Sequence, residues 1–259
     1  MSEILKKKTI AITRPYNRID EAVELVESYG AEAFIVPTLE LELKNTASLK
    51  NLVEIANELD WLIFTSPTSI ESIFKFYPDF KEKINKNCKI ATIGHKSEEV
   101  ANSYGIFSDL IPEDYTAEGL LKSFENVNVE NTLIGLPRTL AARDTLPKGL
   151  KKLGADVILA ESYESLIPSD TNKIETLIEK ILNSKIDAIT FTSPLTAKNL
   201  FKVAANEQIP ELANILSTSV LSVSIGPITY KVLKKLGVNS IYPKVYTVKD
   251  MMELLFVNL

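Results

Sequence analysis

Two registers of apolar spacing alternate along the chain. Short β-rich runs such as Thr9–Thr13 (TIAIT) and Trp61–Thr65 (WLIFT) each give way to a stretch spaced near 3.6, the mark of a strand feeding a helix. In order, the first part predicts strands at 9–13, 33–36, 38–43, 61–65 and 89–93, and helices at 17–29, 49–59, 68–77, 97–104 and 116–124. The pattern then restarts. Strands fall at 132–136, 157–160, 188–192, 220–225 and 240–242, helices at 174–182, 196–204, 228–236 and 248–256, and 138–153 is largely loop and helix. Gly30, Gly105, Gly154 and Gly237 stand where helices should stop. Such alternation indicates an α/β chain with parallel sheets and helical crossovers.

One stretch occurs twice: Leu62–Phe74 reads LIFTSPTSIESIF and Ile189–Phe201 reads ITFTSPLTAKNLF. Ser66 and Ser193 are placed as N-caps, with Pro67 and Pro194 at the first helical position, where a missing N–H costs nothing. A strand end feeding a helix start leaves backbone N–H groups pointing outward, ready for an anion. Other positions repeat too. Arg14 and Arg138 are 124 apart (138 − 14), as are Gly30 and Gly154 (154 − 30). Ser66 and Ser193 differ by 127 (193 − 66), and Gly94 and Gly226 by 132 (226 − 94), as do Gly105 and Gly237 (237 − 105). This is an internal duplication whose slow drift reflects loop insertions, and it predicts two similar α/β domains with a cleft between them. Taken alone, it suggests two contiguous halves.

Composition narrows the chemistry. The 259 residues suffice for one large or two ordinary domains, and a net charge of −5 argues against nucleic acid as a partner. The single cysteine, Cys88, excludes an internal disulfide and points to a reducing compartment, the cytoplasm. The start, MSEILKKKTIAI, lacks the apolar core of a secretory signal, and no run is long enough to span a membrane. One His95 and one Cys88 cannot build a His/Cys metal cluster.

The loops predicted at the C-terminal strand ends are Thr13-Arg14-Pro15, Phe-Thr-Ser-Pro twice, Gly94-His95-Lys96-Ser97 and Gly226-Pro227-Ile228-Thr229. Ligands bind at that edge in open α/β sheets. No Walker loop or Gly-x-Gly-x-x-Gly fingerprint supports a nucleotide. Hydroxyls, helix-start amides and a few cations (Arg14, Lys96, Arg138, Arg143) instead suit a ligand with several carboxylates. No nucleophile–His–acid set assembles around His95, which reads as a loop side chain. Tyr163, in the second crossing segment, is either a packed ring or a proton donor facing the cleft.

The order of these motifs resembles the uroporphyrinogen-III synthase family. The residues that carry the likeness are Thr13-Arg14-Pro15, Phe64-Thr65-Ser66, Ile93-Gly94 with Ser97, and Thr116-Ala117-Glu118-Gly119-Leu120-Leu121. They continue with Arg143 before a Leu-rich helix ending in Gly154, Tyr163-Glu164, Phe191-Thr192-Ser193-Pro194, and Ile225-Gly226-Pro227 with Thr229. Each motif is short, and their joint order over nearly the whole chain is the specific part. The resemblance implies residues 1–36 with 167–259 as one domain and 37–166 as the other, joined by a two-stranded connector. It implies a lyase of tetrapyrrole biosynthesis that takes hydroxymethylbilane, removes the ring-A hydroxyl as water, inverts ring D through a spiro intermediate and closes uroporphyrinogen III without cofactor or metal. By motif matching, Tyr163 takes the place of the family's candidate acid. Thr13, Arg14, Thr65, Ser66, Ser97, Arg138, Arg143, Ser193 and Thr229 are the expected binding residues. Ser97 stands where many relatives have Thr, and Tyr230 where a small Ala usually follows the threonine. A monomer is expected, with the preceding pathway enzyme as a candidate partner. The competing reading is a non-catalytic two-domain module that binds a polycarboxylate or tetrapyrrole.

Overall fold

The computed structural model describes residues 8–259, so the reading of the first residues of the chain lies outside it. Its contacts gather into two units. One holds the described residues up to Glu40 together with Leu166–Leu259, and the other is Leu41–Ser165.

The first unit carries four parallel strands: β1 (Thr9–Ile12), β2 (Glu32–Ile35), β9 (Ala188–Phe191) and β10 (Leu221–Ser224), in the order β10-β9-β1-β2. The pleat sends alternate β1 side chains to opposite faces. Ile10 and Ile12 enter a core with Ala22 and Val26 of α1 (Asp20–Ser28) and Met251 and Leu255 of α12 (Val248–Asn258). Ala11 enters the other core, with Leu177 and Ile181 of α8 (Asn172–Leu182), Leu200 of α9 (Pro194–Val203), Leu212 and Leu216 of α10 (Ile209–Thr218) and Leu233 of α11 (Pro227–Lys235). Helices on both faces explain why β9 is buried at every residue, Thr190 included.

The second unit repeats this plan with β4 (Trp61–Phe64), β5 (Lys89–Thr92), β6 (Leu133–Arg138) and β7 (Asp156–Glu161), in the order β5-β4-β6-β7, again all parallel. Trp61 and Ile63 pack with Leu120 and Phe124 of α6 (Ala117–Phe124) and Leu150 of α7 (Thr145–Lys152). Leu62 and Phe64 pack with Leu52 of α2 (Ala47–Glu54), Ile70 of α3 (Pro67–Phe76), Phe80 of the short α4 (Phe80–Lys83) and Ala101 of α5 (His95–Ser103). Strands β3 (Glu40–Leu43) and β8 (Tyr163–Leu166) form a separate two-stranded sheet.

The matching orders pair β1 with β6, β2 with β7, β9 with β4 and β10 with β5. The duplicated halves are therefore not contiguous units: β4 and β5 complete the sheet of β6 and β7, while β1 and β2 join β9 and β10. Gly30, Gly105, Gly154 and Gly237, the predicted helix stops, are the glycines with positive φ among the described residues.

Several local expectations need correction. Helix α2 begins at Ala47, capped by Thr46, and ends at Glu54; Ile55 and Ala56 lie in turns and Leu59 in irregular backbone beyond them. Ser240–Tyr242 is no strand but a single bridge, Val223 to Ile241, matched in the second unit by Ala91 to Leu110. Strand β6 runs past Leu136 through Pro137 to Arg138. This is tolerated because β4 pairs with it only at Ile134 and Gly135, so nothing on that side needs the missing N–H. Helix α10 was not predicted, although Pro210 in its first turn and Leu212 and Leu216 four residues apart were its signal.

Candidate active site

Because each sheet is parallel, all its strand ends share one edge. In the first unit β1 delivers Thr13 and Arg14, β9 delivers Thr192 and Ser193, and β10 delivers Gly226 and the start of α11. In the second, β4 delivers Thr65 and Ser66, β5 delivers Gly94 and the start of α5, and β6 ends on Arg138.

The Ser-Pro turns are helix starts, as their sequence predicts, and they cap themselves. Ser193 accepts from Thr196 N at 3.2 Å, and its own N–H donates to Thr196 Oγ1 at 3.3 Å, a complete capping box. Ser66 accepts from Thr68 N at 3.1 Å. These hydroxyls thus already serve the backbone. The helices that begin after Gly94 and Gly226 have no side-chain cap; Ser97 N donates to Gly94 O at 3.0 Å and Pro227 has no N–H, so the amides of His95, Lys96, Ile228 and Thr229 are the ones left for an outside acceptor. Each lies beside a tyrosine ring. A Cβ built on Gly94 would meet Tyr115 at 3.1 Å, and one on Gly226 would meet Tyr246 at 3.2 Å. Sequence reading missed both rings, yet Tyr115-Thr116 and Tyr246-Thr247 repeat at an offset of 131 (246 − 115). Thr116 and Thr247 each cap the following helix.

Other expected residues divide by accessibility. Thr13 is fully buried, and its hydroxyl donates to Thr190 O at 2.7 Å. Ser97 and Thr229 correspond (229 − 97 = 132), and both are buried one turn inside the Gly-capped helices. Thr65 is half-buried. Arg143, on the surface, makes a two-pronged ion pair with Glu118, 2.6 and 2.9 Å, which holds its pKa above the usual guanidinium range.

Arg138 is buried, its Nε donating to Thr139 O at 3.1 Å and its Nη2 to Ala142 O. Burial pulls its pKa below the ordinary value, while Asp144 and Tyr163 act in the opposite sense. Tyr163 opens β8 and is 8% exposed. Arg14 also sits below the usual range, chiefly through burial, with Glu21 opposing and Arg18 adding to the shift. His95 opens α5, with Nδ1 3.0 Å from Glu98 Oε2 and its ring edge-on to Tyr115. Tyr230 lies against Tyr242, centroids 5.2 Å apart. Among the described residues no group of His, Cys, Asp and Glu gathers to hold a metal ion, and no helix is long and apolar enough to cross a membrane.

Comparison with known proteins gives the family and the fold. The family model described as uroporphyrinogen-III synthase HemD matches residues 20–253. A Methanothermobacter thermautotrophicus protein, named as a candidate uroporphyrinogen-III synthase, is 46% identical over 96% of this chain and 98% of its own. The uroporphyrinogen-III synthase of Chlorobaculum parvum is 25% identical over 89% of this chain and 90% of its own. Among solved structures, a mutant uroporphyrinogen III synthase of Thermus thermophilus shares the fold with a TM-score of 0.70, at 18% identity over 96% of this chain and 98% of that one.

Proposed function

The chain belongs to the uroporphyrinogen-III synthase family of tetrapyrrole biosynthesis, and we propose that it holds hydroxymethylbilane on its strand-end loops while Tyr163 assists loss of the ring-A hydroxyl. One observation carries this reading. The same strand-to-helix edge occurs twice, each time with uncapped first-turn amides beside an aromatic ring. Amides take carboxylates without introducing charged side chains, and the Tyr115 and Tyr246 rings offer an apolar surface to a pyrrole.

The chemistry needs a proton and a fixed conformation. As the C–O bond of ring A breaks, the Tyr163 phenol donates its proton to the departing hydroxyl, which leaves as water. A phenol, with an ordinary pKa near 10, is protonated at neutral pH and able to do this. Arg138, close enough to interact electrostatically with Tyr163, favours the phenolate that remains. Ring D attacks the ring-A methylene through its substituted α-carbon and forms the spiro centre; the bond from that carbon to the ring-C methylene then breaks, and this methylene bonds to the free α-carbon of ring D, which closes the macrocycle with ring D inverted. The proton released as the last pyrrole regains aromaticity returns to the phenolate. The unassisted bilane also loses its hydroxyl and closes without inversion, so orientation is the decisive contribution, worth about 7–11 kcal/mol where reacting atoms are held in a near-attack geometry. The reaction is placed in the cytoplasm, with a small molecule as partner.

The test is incubation with freshly generated hydroxymethylbilane, followed by oxidation and separation of the isomers. Isomer III in excess of isomer I is expected. Isomer I alone, at the uncatalysed rate, leaves only the polycarboxylate-binding module. Tyr163→Phe lowers kcat for isomer III by about 100-fold or more, the usual scale of a lost general acid. Unchanged turnover removes Tyr163 from the mechanism.

A further inference from the structure

The duplication supplies an internal control for one cation. Arg14 and Arg138 occupy matching positions, yet their guanidinium groups live differently. Arg138 is enclosed by its own loop, whose carbonyls at Thr139 and Ala142 accept from it. Arg14 has no such loop. After it, Pro15 O accepts from Arg18 N at 3.0 Å and Tyr16 O from Ile19 N at 3.4 Å, so the tight turn Tyr16–Arg18 takes up the carbonyls that could have served.

The Arg14 side chain is only 14% exposed, and its Nε and Nη1 are buried without a hydrogen-bond partner. Its nearest recorded carboxylate, Glu21, stands 4.0 Å from Nη1, beyond hydrogen-bonding range, and is itself 56% exposed and free to swing away. The 14% of the side chain that stays exposed leaves the group within reach of an outside acceptor. Charged donors buried without acceptors are costly and rare. The arrangement sits at the C-terminal end of β1, the edge where parallel sheets bind ligands.

We propose that Arg14 is a dedicated carboxylate-binding residue, its guanidinium kept without internal acceptors so that a carboxylate of the substrate supplies them, whereas Arg138 has become a part of the framework. The identity of that substrate rests on the synthase reading; the carboxylate chemistry does not. An incoming carboxylate finds two parallel N–H donors once Glu21 moves aside, a geometry that lysine cannot reproduce.

The experiment compares wild type with Arg14→Met, Arg14→Gln and Arg138→Met by three measurements: KM and kcat for isomer III, the dissociation constant for uroporphyrin III by fluorescence titration, and Tm. Arg14→Met is expected to raise KM and weaken the porphyrin by about 10- to 100-fold, the range for a lost charge-assisted hydrogen bond, with little change in kcat. Its Tm stays level or rises, because a buried charge with no hydrogen-bond acceptor, only the distant Glu21, has been replaced by an apolar stem. Arg138→Met lowers Tm and, because Tyr163 loses the cation beside it, also kcat. Arg14→Gln keeps the loss measurable if the methionine variant aggregates. A fall in Tm with KM and porphyrin affinity unchanged makes Arg14 structural like its duplicate and overturns the inference. If wild type forms no isomer III but Arg14→Met still weakens the porphyrin, the synthase reading fails and the carboxylate site stands.

Discussion

The two units share a framework down to single hydrogen bonds. Asn199 Nδ2 donates to Thr38 O at 2.8 Å in the first, and Ser72 Oγ donates to Ser162 O in the second. These are duplicated positions, since 199 − 72 is 127 and 162 − 38 is 124. Thr196 Oγ1 reaches Ser193 O and Ser69 Oγ reaches Ser66 O, both at 2.7 Å. The units part company at their strand ends. There Thr13 faces Pro137 across the duplication (137 − 13 = 124), and an unpartnered Arg14 matches an enclosed Arg138. The framework tolerates a change of residue type as long as a donor still reaches the same carbonyl. At the edges Arg14 and Arg138 keep residue type and change their surroundings, while Thr13 and Pro137 differ in type itself.

The strongest test of that shared framework lies in the cores. Phe64 and Phe191 correspond (191 − 64 = 127), and both are fully buried. Phe64→Ala and Phe191→Ala are each expected to cost about 3–5 kcal/mol in urea unfolding. A large inequality between them breaks the claim that the two sheets are equivalent supports. A smaller effect separates the helix stops. Gly237 and Gly154 have φ of 81° and 89°, a conformation that costs an L-residue about 1–2 kcal/mol. At Gly154 an added Cβ also meets the Glu130 Cα at 3.3 Å, while at Gly237 it meets only the Ala213 Cβ at an ordinary 3.6 Å. Gly154→Ala is therefore the more destabilising of the two, and an equal loss in thermal unfolding contradicts that contact.

Which of these features could be read beforehand follows from where residue type is constrained. The Ser-Pro starts and the four glycines that end helices were legible because cap geometry and positive φ admit few residues. The pairing of Thr38 with Asn199 and of Ser162 with Ser72 was not, because a carbonyl accepts from an amide or a hydroxyl alike. The exchange of strands between halves was an expectation of the family resemblance and not of the apolar pattern, since contiguous and exchanged sheets bury the same apolar strands. At the site, the strand-end cations were visible in sequence. Their difference was not: it depends on whether the following loop returns a carbonyl, as Thr139 and Ala142 do for Arg138. The Tyr115 and Tyr246 rings fell outside the reading because their contact is to a glycine distant in sequence.

The smallest effect concerns the lone thiol. Cys88 corresponds to Val220 (220 − 88 = 132), a residue only 4% exposed that leads into β10 as Cys88 leads into β5. The thiol therefore occupies a position built for an aliphatic side chain. Burial, helped by the carboxylates of Asp60 and Asp109, pushes its pKa up to about 12 from an ordinary 9.0. Since the folded value lies above the unfolded one, the neutral thiol makes its full contribution below pH 9.0. That contribution is lost as pH climbs toward about 12, because the unfolded chain releases the proton first. Cys88→Val is expected to stay within about 0.5 kcal/mol of wild type at pH 7. Above pH 9.0 its urea midpoint falls less steeply than that of wild type, since it has no thiol to ionise. Identical alkaline slopes for the two proteins mean that Cys88 ionises as readily folded as unfolded, and that its surroundings differ from the sealed valine slot of the first unit.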